Sequence, residues 1–129
     1  MGRKPRPRIL VAERDPFMQE ALSLTLGNEF TLEFAPDGLE VLKRARSNPP
    51  ELIILELLLP KLDGLQVLHE LKDDPRTRDV PVLVFTLLVG RERALRAGAD
   101  AYMRKPLHEV KLKHLVRQLV SRETHTYER

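Results

Sequence analysis

Polar side chains follow several short apolar runs of the sequence, each near the point where the run ends. Glu13 and Arg14 follow the first run, Glu56 the third, Thr86 the fourth and Lys105 the fifth. If these runs are parallel strands, their carboxyl ends share one edge of the sheet, where ligands bind in doubly wound proteins. Carboxylates, a hydroxyl and a lysine would then form one polar site on an otherwise apolar sheet, which packing alone does not require.

The elements that would position these side chains can be read from hydrophobic periodicity. Short apolar runs at 9–12, 30–35, 52–55, 82–85 and 101–103 predict five strands. Apolar residues at helical spacing predict five alternating helices, the first starting at Pro16 behind an Asp15 cap, the fourth a short one over 91–97 and the last over 107–122. Because several runs are apolar at every position, the sequence predicts an α/β fold: a three-layer, doubly wound parallel five-stranded sheet of (βα)5 type.

Composition sets limits on the class of protein. The chain has 129 residues and 42% hydrophobic side chains, the size and balance of one soluble globular domain. It lacks cysteine, which excludes disulfides, thiolate metal sites and cysteine nucleophiles. No apolar stretch is as long as a membrane span, and no signal-peptide core follows the basic N-terminus, so we expect a cytoplasmic protein with no membrane partner.

The positive charge of the chain is concentrated at its start. Arg3, Lys4, Arg6 and Arg8 lie in residues 1–8, and without them the formal charge changes from +3 to −1. We therefore predict a flexible basic arm over 1–8, a domain over 9–121 and a polar tail over 122–129. The arm predicts at most weak, salt-dependent binding of nucleic acid, and a solubilising tail is the simpler interpretation.

Four segments together resemble a known family. They are ILVAERDPF at the first strand, PELIILELLLPKLDGLQVL around the third, DPRTRDVPVLVFT at the fourth and GADAYMRKPL at the fifth. In these motifs the chain resembles the receiver domain of bacterial response regulators, of the single-domain chemotaxis-regulator type, over about residues 8–120. The resemblance implies a flavodoxin-like fold with strand order 2-1-3-4-5 and a place in two-component, or phosphorelay, signal transduction.

The resemblance also implies roles for individual residues. In the family, an acid pair after the first strand and an aspartate after the third hold Mg²⁺, and the aspartate accepts a phosphoryl group from a histidine kinase. Thr86 and Lys105 match the hydroxyl and the lysine that contact the phosphoryl oxygens, and Tyr102 matches the switch aromatic. At the acid pair, however, stand Glu13 and Arg14, and at the phosphoacceptor position stands Glu56.

These departures change the charge of the predicted site. Arg14 would place a permanent positive charge where Mg²⁺ would bind and would repel it. Its guanidinium could instead pair with Glu56 or Glu13, and Lys105 supplies a second cation. We therefore predict an atypical receiver, or pseudo-receiver, with no metal, no cofactor and no catalytic residue, which acts through protein–protein contact rather than as an enzyme.

Several interpretations of single residues stay open on sequence alone. Glu56 could mimic a phosphorylated aspartate or could simply neutralise Lys105 and Arg14. Thr86 could serve the site or the strand end, and Tyr102 could switch between two positions or stay fixed. Asp15 and Asp63 are interpreted as a helix cap and a turn residue, whereas His69, His108, His114 and His125 lack ligand spacing and predict no metal site.

The alternatives come from other functional classes. A conventional receiver that is phosphorylated on Glu56 would need Mg²⁺, and a DNA-associated regulator would depend on the basic arm. A flavodoxin-type cofactor protein is disfavoured because the first strand–helix loop lacks the glycine and hydroxyl residues that cradle a phosphate. Expected partners are a histidine kinase or an output protein, with a homodimer as a further option. The short fourth helix predicts a remodelled partner surface.

Overall fold

The computed structural model describes residues 5–121, where five strands alternate with five helices. The strands are β1 (Arg8–Ala12), β2 (Thr31–Ala35), β3 (Leu52–Leu55), β4 (Val82–Thr86) and β5 (Ala101–Arg104). The helices are α1 (Pro16–Leu26), α2 (Gly38–Ser47), α3 (Gly64–Asp73), α4 (Arg91–Arg96) and α5 (Glu109–Val120). All neighbouring strands are parallel, in the order β2-β1-β3-β4-β5, which confirms the predicted fold.

The sheet is covered on both faces because alternate side chains of each strand point to opposite sides. In β1, Leu10 and Ala12 pack in a cluster with residues of α2, α3 and α4, whereas Ile9 and Val11 pack with α1 and α5. The same alternation holds in β3 and β4, whose residues are buried throughout. This two-sided burial explains why the runs are apolar at every position.

Aspartates start the first three helices. Asp15 accepts a hydrogen bond from the Phe17 amide at 3.0 Å, and Asp63 accepts one from the Leu65 amide at 2.9 Å. Asp37 does the same for α2. The predictions for Asp15 as a cap and Asp63 as a turn residue are confirmed, because both side chains satisfy free amides of a first helical turn. In the part of the chain described here, no helix is long and apolar enough to cross a membrane.

The boundary between the predicted arm and the domain was wrong by one residue. Arg8 is the first residue of β1, and its guanidinium lies 2.9 Å from the Glu33 carboxylate on the neighbouring strand β2. Arg6 donates a hydrogen bond to the Gly27 carbonyl. Arg8 therefore pairs across the sheet instead of extending into solvent, a cross-strand contact that periodicity does not reveal. Arg3, Lys4 and the tail over 122–129 lie outside the described residues.

The last helix is shorter than predicted. It begins at Glu109 rather than at residue 107 because the Nδ1 atom of His108 accepts a hydrogen bond from the Lys111 amide at 3.3 Å, as a helix cap does. It ends at Val120, and the Ser121 hydroxyl bonds to carbonyls of the last turn. The short α4 agrees with the prediction within one residue.

The assignment of the core can be tested with one pair of leucines. Leu68 on α3 is fully buried, whereas Leu24 on α1 is 78% exposed. We expect Leu68→Ala to lower the free energy of unfolding by about 2–5 kcal/mol, because it removes packed apolar surface and leaves a cavity. Leu24→Ala makes the same chemical change at the surface and should cost at most about 0.5 kcal/mol in urea unfolding. Equal losses in the two variants would contradict this assignment of the core.

Candidate functional site

Four of the predicted site residues meet at the carboxyl edge of the sheet. Glu13 follows β1, Glu56 follows β3, Thr86 ends β4 and Lys105 follows β5. Glu13 and Glu56 are each 3% exposed and Thr86 is fully buried, while the Lys105 side chain is 7% exposed. Buried charges are rare in proteins unless they are paired, so the partners of these groups decide what the site can do.

Lys105 lies between the two carboxylates. Its Nζ atom is 2.6 Å from Oε1 of Glu13 and 2.9 Å from Oε1 of Glu56. The same ammonium lies over the ring of Phe85, 5.6 Å from its centroid. Two negative charges this close to one another would repel, and the shared cation offsets that repulsion.

The second oxygen of Glu56 is also fully engaged. Oε2 accepts a hydrogen bond from the Thr86 hydroxyl and another, at 3.0 Å, from the Leu58 amide. Burial acts to raise the pKa of Glu56, but the hydrogen bonds from Lys105, Thr86 and the Leu58 amide outweigh it and lower that pKa below its usual 4.5. Burial likewise acts to lower the pKa of Lys105, and the hydrogen bonds to Glu13 and Glu56 outweigh it and raise that pKa.

A close backbone approach fixes the chain beside Glu56. A Cβ atom added to Gly64 would lie 2.4 Å from the Leu57 Cα and 2.7 Å from the Glu56 carbonyl oxygen. The first residue of α3 therefore has to be glycine here, because any side chain would push the helix away from the segment after β3. In turn, the Gly64 amide donates to the Leu57 carbonyl at 2.9 Å, which holds this turn closed.

The expected pairing of Arg14 with Glu56 or Glu13 was wrong. Arg14 is exposed, and within residues 5–121 it forms no ion pair. Glu13 is still held to the sheet by its amide, which donates to the Ala35 carbonyl, whereas the chain turns outward afterwards to start α1. Lys105 already occupies the space between the carboxylates. The Arg14 guanidinium therefore remains exposed to solvent, which avoids the free-energy cost of desolvation.

Tyr102 is linked to the site through the loop after β4. The Thr86 Oγ1 atom accepts a hydrogen bond from the Leu88 amide at 3.2 Å, and the Tyr102 hydroxyl donates to the Leu88 carbonyl. The Tyr102 ring is half-buried and packs against the cluster formed with α2, α3 and α4. A continuous set of contacts thus connects Glu56 with Tyr102 through Thr86 and Leu88.

Sequence reasoning missed the backbone and loop partners of these side chains. The Leu58 amide and both polar groups of Leu88 belong to apolar residues, whose type carries no sign of such a role. The Phe85 ring beneath Lys105 was predicted only as part of a strand. Across the described part of the chain, no group of three or more histidines and acids is arranged to hold a metal ion.

Comparison with known proteins decides the family. Residues 9–117 match the family described as Response regulator receiver domain. The chain belongs to this family. The chain is 36% identical, over 90% of its length, to the DNA-binding dual master transcriptional regulator RpaA of Synechocystis sp.. It is 37% identical, over 89% of its length, to the response regulator MprA of Mycobacterium ulcerans.

Solved structures agree with this family. A Chloroflexus aurantiacus protein assigned to the response regulators superposes with a TM-score of 0.85 at 28% identity, over 92% of this chain and 99% of that one. The chain spans about half the length of the two curated relatives, 50% in each case. Receiver domains are signalling modules that interact with histidine kinases and output domains.

The family implies Mg²⁺, and the residues of this receiver domain do not fit it. Mg²⁺ requires oxygen ligands at short distances in near-octahedral geometry. Here all four carboxylate oxygens of Glu13 and Glu56 already have partners within the protein. Lys105 contacts Oε1 of both residues, the Leu58 amide donates to Oε2 of Glu56, and the Asp15 amide donates to Oε2 of Glu13 at 3.1 Å. In addition, Arg14 stands where the family has the second acid of its pair, and its side chain is exposed and supplies no oxygen ligand.

Removal of Lys105 tests this charge arrangement. Lys105→Met would leave two buried carboxylates without a cation, and we expect a loss of about 3–5 kcal/mol in the free energy of unfolding at neutral pH. The matched control is Lys43→Met, which removes an exposed lysine of α2 and should cost at most about 0.5 kcal/mol. Urea unfolding of both variants makes the comparison, and equal losses would contradict the assignment.

The same variant should reverse the response to acid. In the native protein the lowered pKa of Glu56 makes the folded state bind protons less readily, so this stabilisation is present above about pH 4.5 and is lost as the pH falls through the folded pKa. Without the lysine, burial raises that pKa, and Lys105→Met should become more stable as the pH falls from neutral towards 5. If the free energy of unfolding changed with pH in the same way in both proteins, this prediction would be contradicted.

Proposed function

We propose that this receiver domain is an atypical response regulator module that acts through protein–protein contact without Mg²⁺-dependent phosphorylation. In this proposal Glu56 permanently supplies the contacts that a phosphorylated acceptor would make. The observation that carries the proposal is the full engagement of the Glu56 carboxylate by Lys105, Thr86 and the Leu58 amide.

The contact of Thr86 with Glu56 favours mimicry over simple neutralisation. An ion pair with Lys105 alone would satisfy the charge of Glu56 and would not require the threonine hydroxyl. The side chain of glutamate is one methylene longer than that of aspartate, so its carboxylate extends towards the position of a phosphoryl group. The threonine and the lysine that would contact phosphoryl oxygens both contact this carboxylate instead.

The contacts of Tyr102 extend this proposal to the surface. Because Thr86 is held at Glu56, its hydroxyl is also placed to accept from the Leu88 amide, and the Leu88 carbonyl accepts from Tyr102. Each of these bonds depends on the position of the one before it. The proposal therefore assigns Tyr102 and the loop after β4 to a single, active-like arrangement that is fixed without a phosphoryl signal.

The charge balance also opposes acyl phosphorylation of Glu56. Attack on a phosphoryl donor needs a free carboxylate oxygen and a cation that neutralises the charge that develops on the phosphoryl oxygens. Both oxygens of Glu56 already accept hydrogen bonds, and Lys105 is divided between two carboxylates.

We propose a cytoplasmic module whose partners are a histidine kinase or an output protein.

A role in DNA binding through the N-terminal arm has less support. The relative RpaA is described as DNA-binding, but this chain spans half of it. Arg8 is paired with Glu33 and hydrogen-bonded to the Asn48 carbonyl, so it is not available to a phosphate backbone. The arm accordingly adds at most a weak, salt-dependent contribution.

Phosphorylation assays test the proposal directly. Incubation with acetyl phosphate and Mg²⁺ should add no phosphoryl group to the protein, as measured by intact mass spectrometry. The double variant Arg14→Asp with Glu56→Asp restores the second acid of the family's pair and the acceptor aspartate, and it should gain stoichiometric phosphorylation. A phosphoryl group attached to Glu56 in the protein of native sequence would contradict the proposal.

The coupling from Glu56 to Tyr102 is tested by a second experiment. Glu56→Ala removes the acceptor of the Thr86 hydroxyl, so we expect the NMR signals of the Tyr102 ring and the Leu88 amide to shift. Glu92→Ala is the matched control, because the Glu92 side chain is 86% exposed on α4. Unchanged Tyr102 signals in Glu56→Ala would show that the aromatic ring is positioned independently of the site.

A further inference from the structure

A solvent-open cleft lies between α3 and α4, and none of Glu13, Glu56, Thr86 and Lys105 lines it. It has a volume of about 280 Å³ and is lined by Leu65 and His69 of α3 and by Arg93, Arg96 and Ala97 at α4. The apolar side chains Leu65 and Ala97 are half-buried and pack against the core. Two half-buried apolar side chains are thus bordered by His69 of α3 and by Arg93 and Arg96 of α4.

The positive charge of this cleft is largely uncompensated. Arg93 is exposed and forms no ion pair within residues 5–121. Arg96 has one partner, Glu92, at 3.9 Å, and both side chains are mostly exposed, 72% and 86%. Because solvent-exposed pairs of this kind contribute little, both guanidinium groups can pair with an incoming anion at small cost.

The adjoining loop adds apolar surface. Leu87, Leu88 and Val89 are 59%, 40% and 80% exposed, and they directly precede Gly90 and α4. Since α4 has six residues, it is about 9 Å long, and one extended or helical segment can cover the loop and the cleft together.

The shape favours a macromolecular partner over a small ligand. Sites for small molecules enclose most of the ligand surface, whereas this cleft is open along one side. Arg93 and Arg96 are three positions apart on one helix, so their side chains emerge on the same face. Carboxylates spaced by one helical turn would match them.

We propose that the cleft between α3 and α4 is a docking groove for an acidic, amphipathic segment of a partner protein. Its carboxylates pair with Arg93 and Arg96, and its apolar side chains cover Leu65, Ala97 and the loop over 87–89. The loop over 87–89 is shared with the arrangement proposed around Glu56, whereas Arg93 and Arg96 line only the cleft. Charge reversal of these two arginines therefore tests the groove separately from the proposal for Glu56.

Binding of a defined peptide tests this groove. The probe is an amphipathic helical peptide with glutamates one turn apart and leucines between them, and the control peptide carries glutamine in place of each glutamate. We expect the full chain to bind the acidic peptide, with NMR shifts at Leu65, His69 and Ala97. Arg93→Glu combined with Arg96→Glu should weaken the affinity at least about tenfold.

A matched charge change separates the groove from general attraction. Lys43→Glu combined with Arg78→Glu alters the net charge equally at exposed cations that do not line the cleft, and it should change the affinity by less than about twofold. Equal weakening in the two double variants would overturn the proposal, as would no binding of the acidic peptide. Inorganic phosphate that shifts the same signals while the peptide does not would also overturn it, in favour of a small-anion site.

Discussion

The Lys105 ammonium, held between the buried carboxylates of Glu13 and Glu56, is the interaction on which the rest of the site depends. Burial of two acidic side chains beside each other is costly unless a cation pairs with them, and the Lys105 ammonium lies 2.6 Å from Glu13 and 2.9 Å from Glu56. The lysine is part of the chain, so the compensating charge cannot dissociate as a metal ion can. With Lys105 at its first oxygen, Glu56 accepts a hydrogen bond from the Thr86 hydroxyl at its second oxygen. Thr86 in turn contacts the Leu88 amide, and the Leu88 carbonyl accepts from the Tyr102 hydroxyl.

The parallel sheet makes this arrangement possible from distant parts of the sequence. Each participating residue lies at or just after the end of a buried strand, and the order β2-β1-β3-β4-β5 places β1, β3, β4 and β5 side by side. Lys105 and Glu13 are separated by almost the whole domain, yet β5 and β1 deliver them to one edge. The close approach at Gly64 then fixes the segment that carries Glu56 and the Leu58 amide.

Much of this architecture could be predicted from sequence because its causes are local. The apolar runs gave the strands, and caps such as Asp15 and Asp63 marked the helix starts. The positions of Glu13, Glu56, Thr86 and Lys105 after their strands placed them correctly at one edge. Sequence could not decide which cation would pair with the acids, because adjacency of Arg14 to Glu13 says nothing about the direction of its side chain. Contacts made by backbone groups, as at Leu58 and Leu88, and the cross-strand pair of Arg8 were likewise not readable from residue type.

The central claim is that Lys105, and no metal ion, compensates the charge of Glu13 and Glu56 at the carboxyl edge. A crystal structure of the protein grown with Mg²⁺ and beryllium fluoride tests it most directly, because both additives report on the same few atoms. We predict that Nζ of Lys105 remains within ion-pair distance of both Glu13 and Glu56, with neither additive bound. A Mg²⁺ ion ligated by these carboxylates, with the lysine displaced and beryllium fluoride on Glu56, would contradict the account.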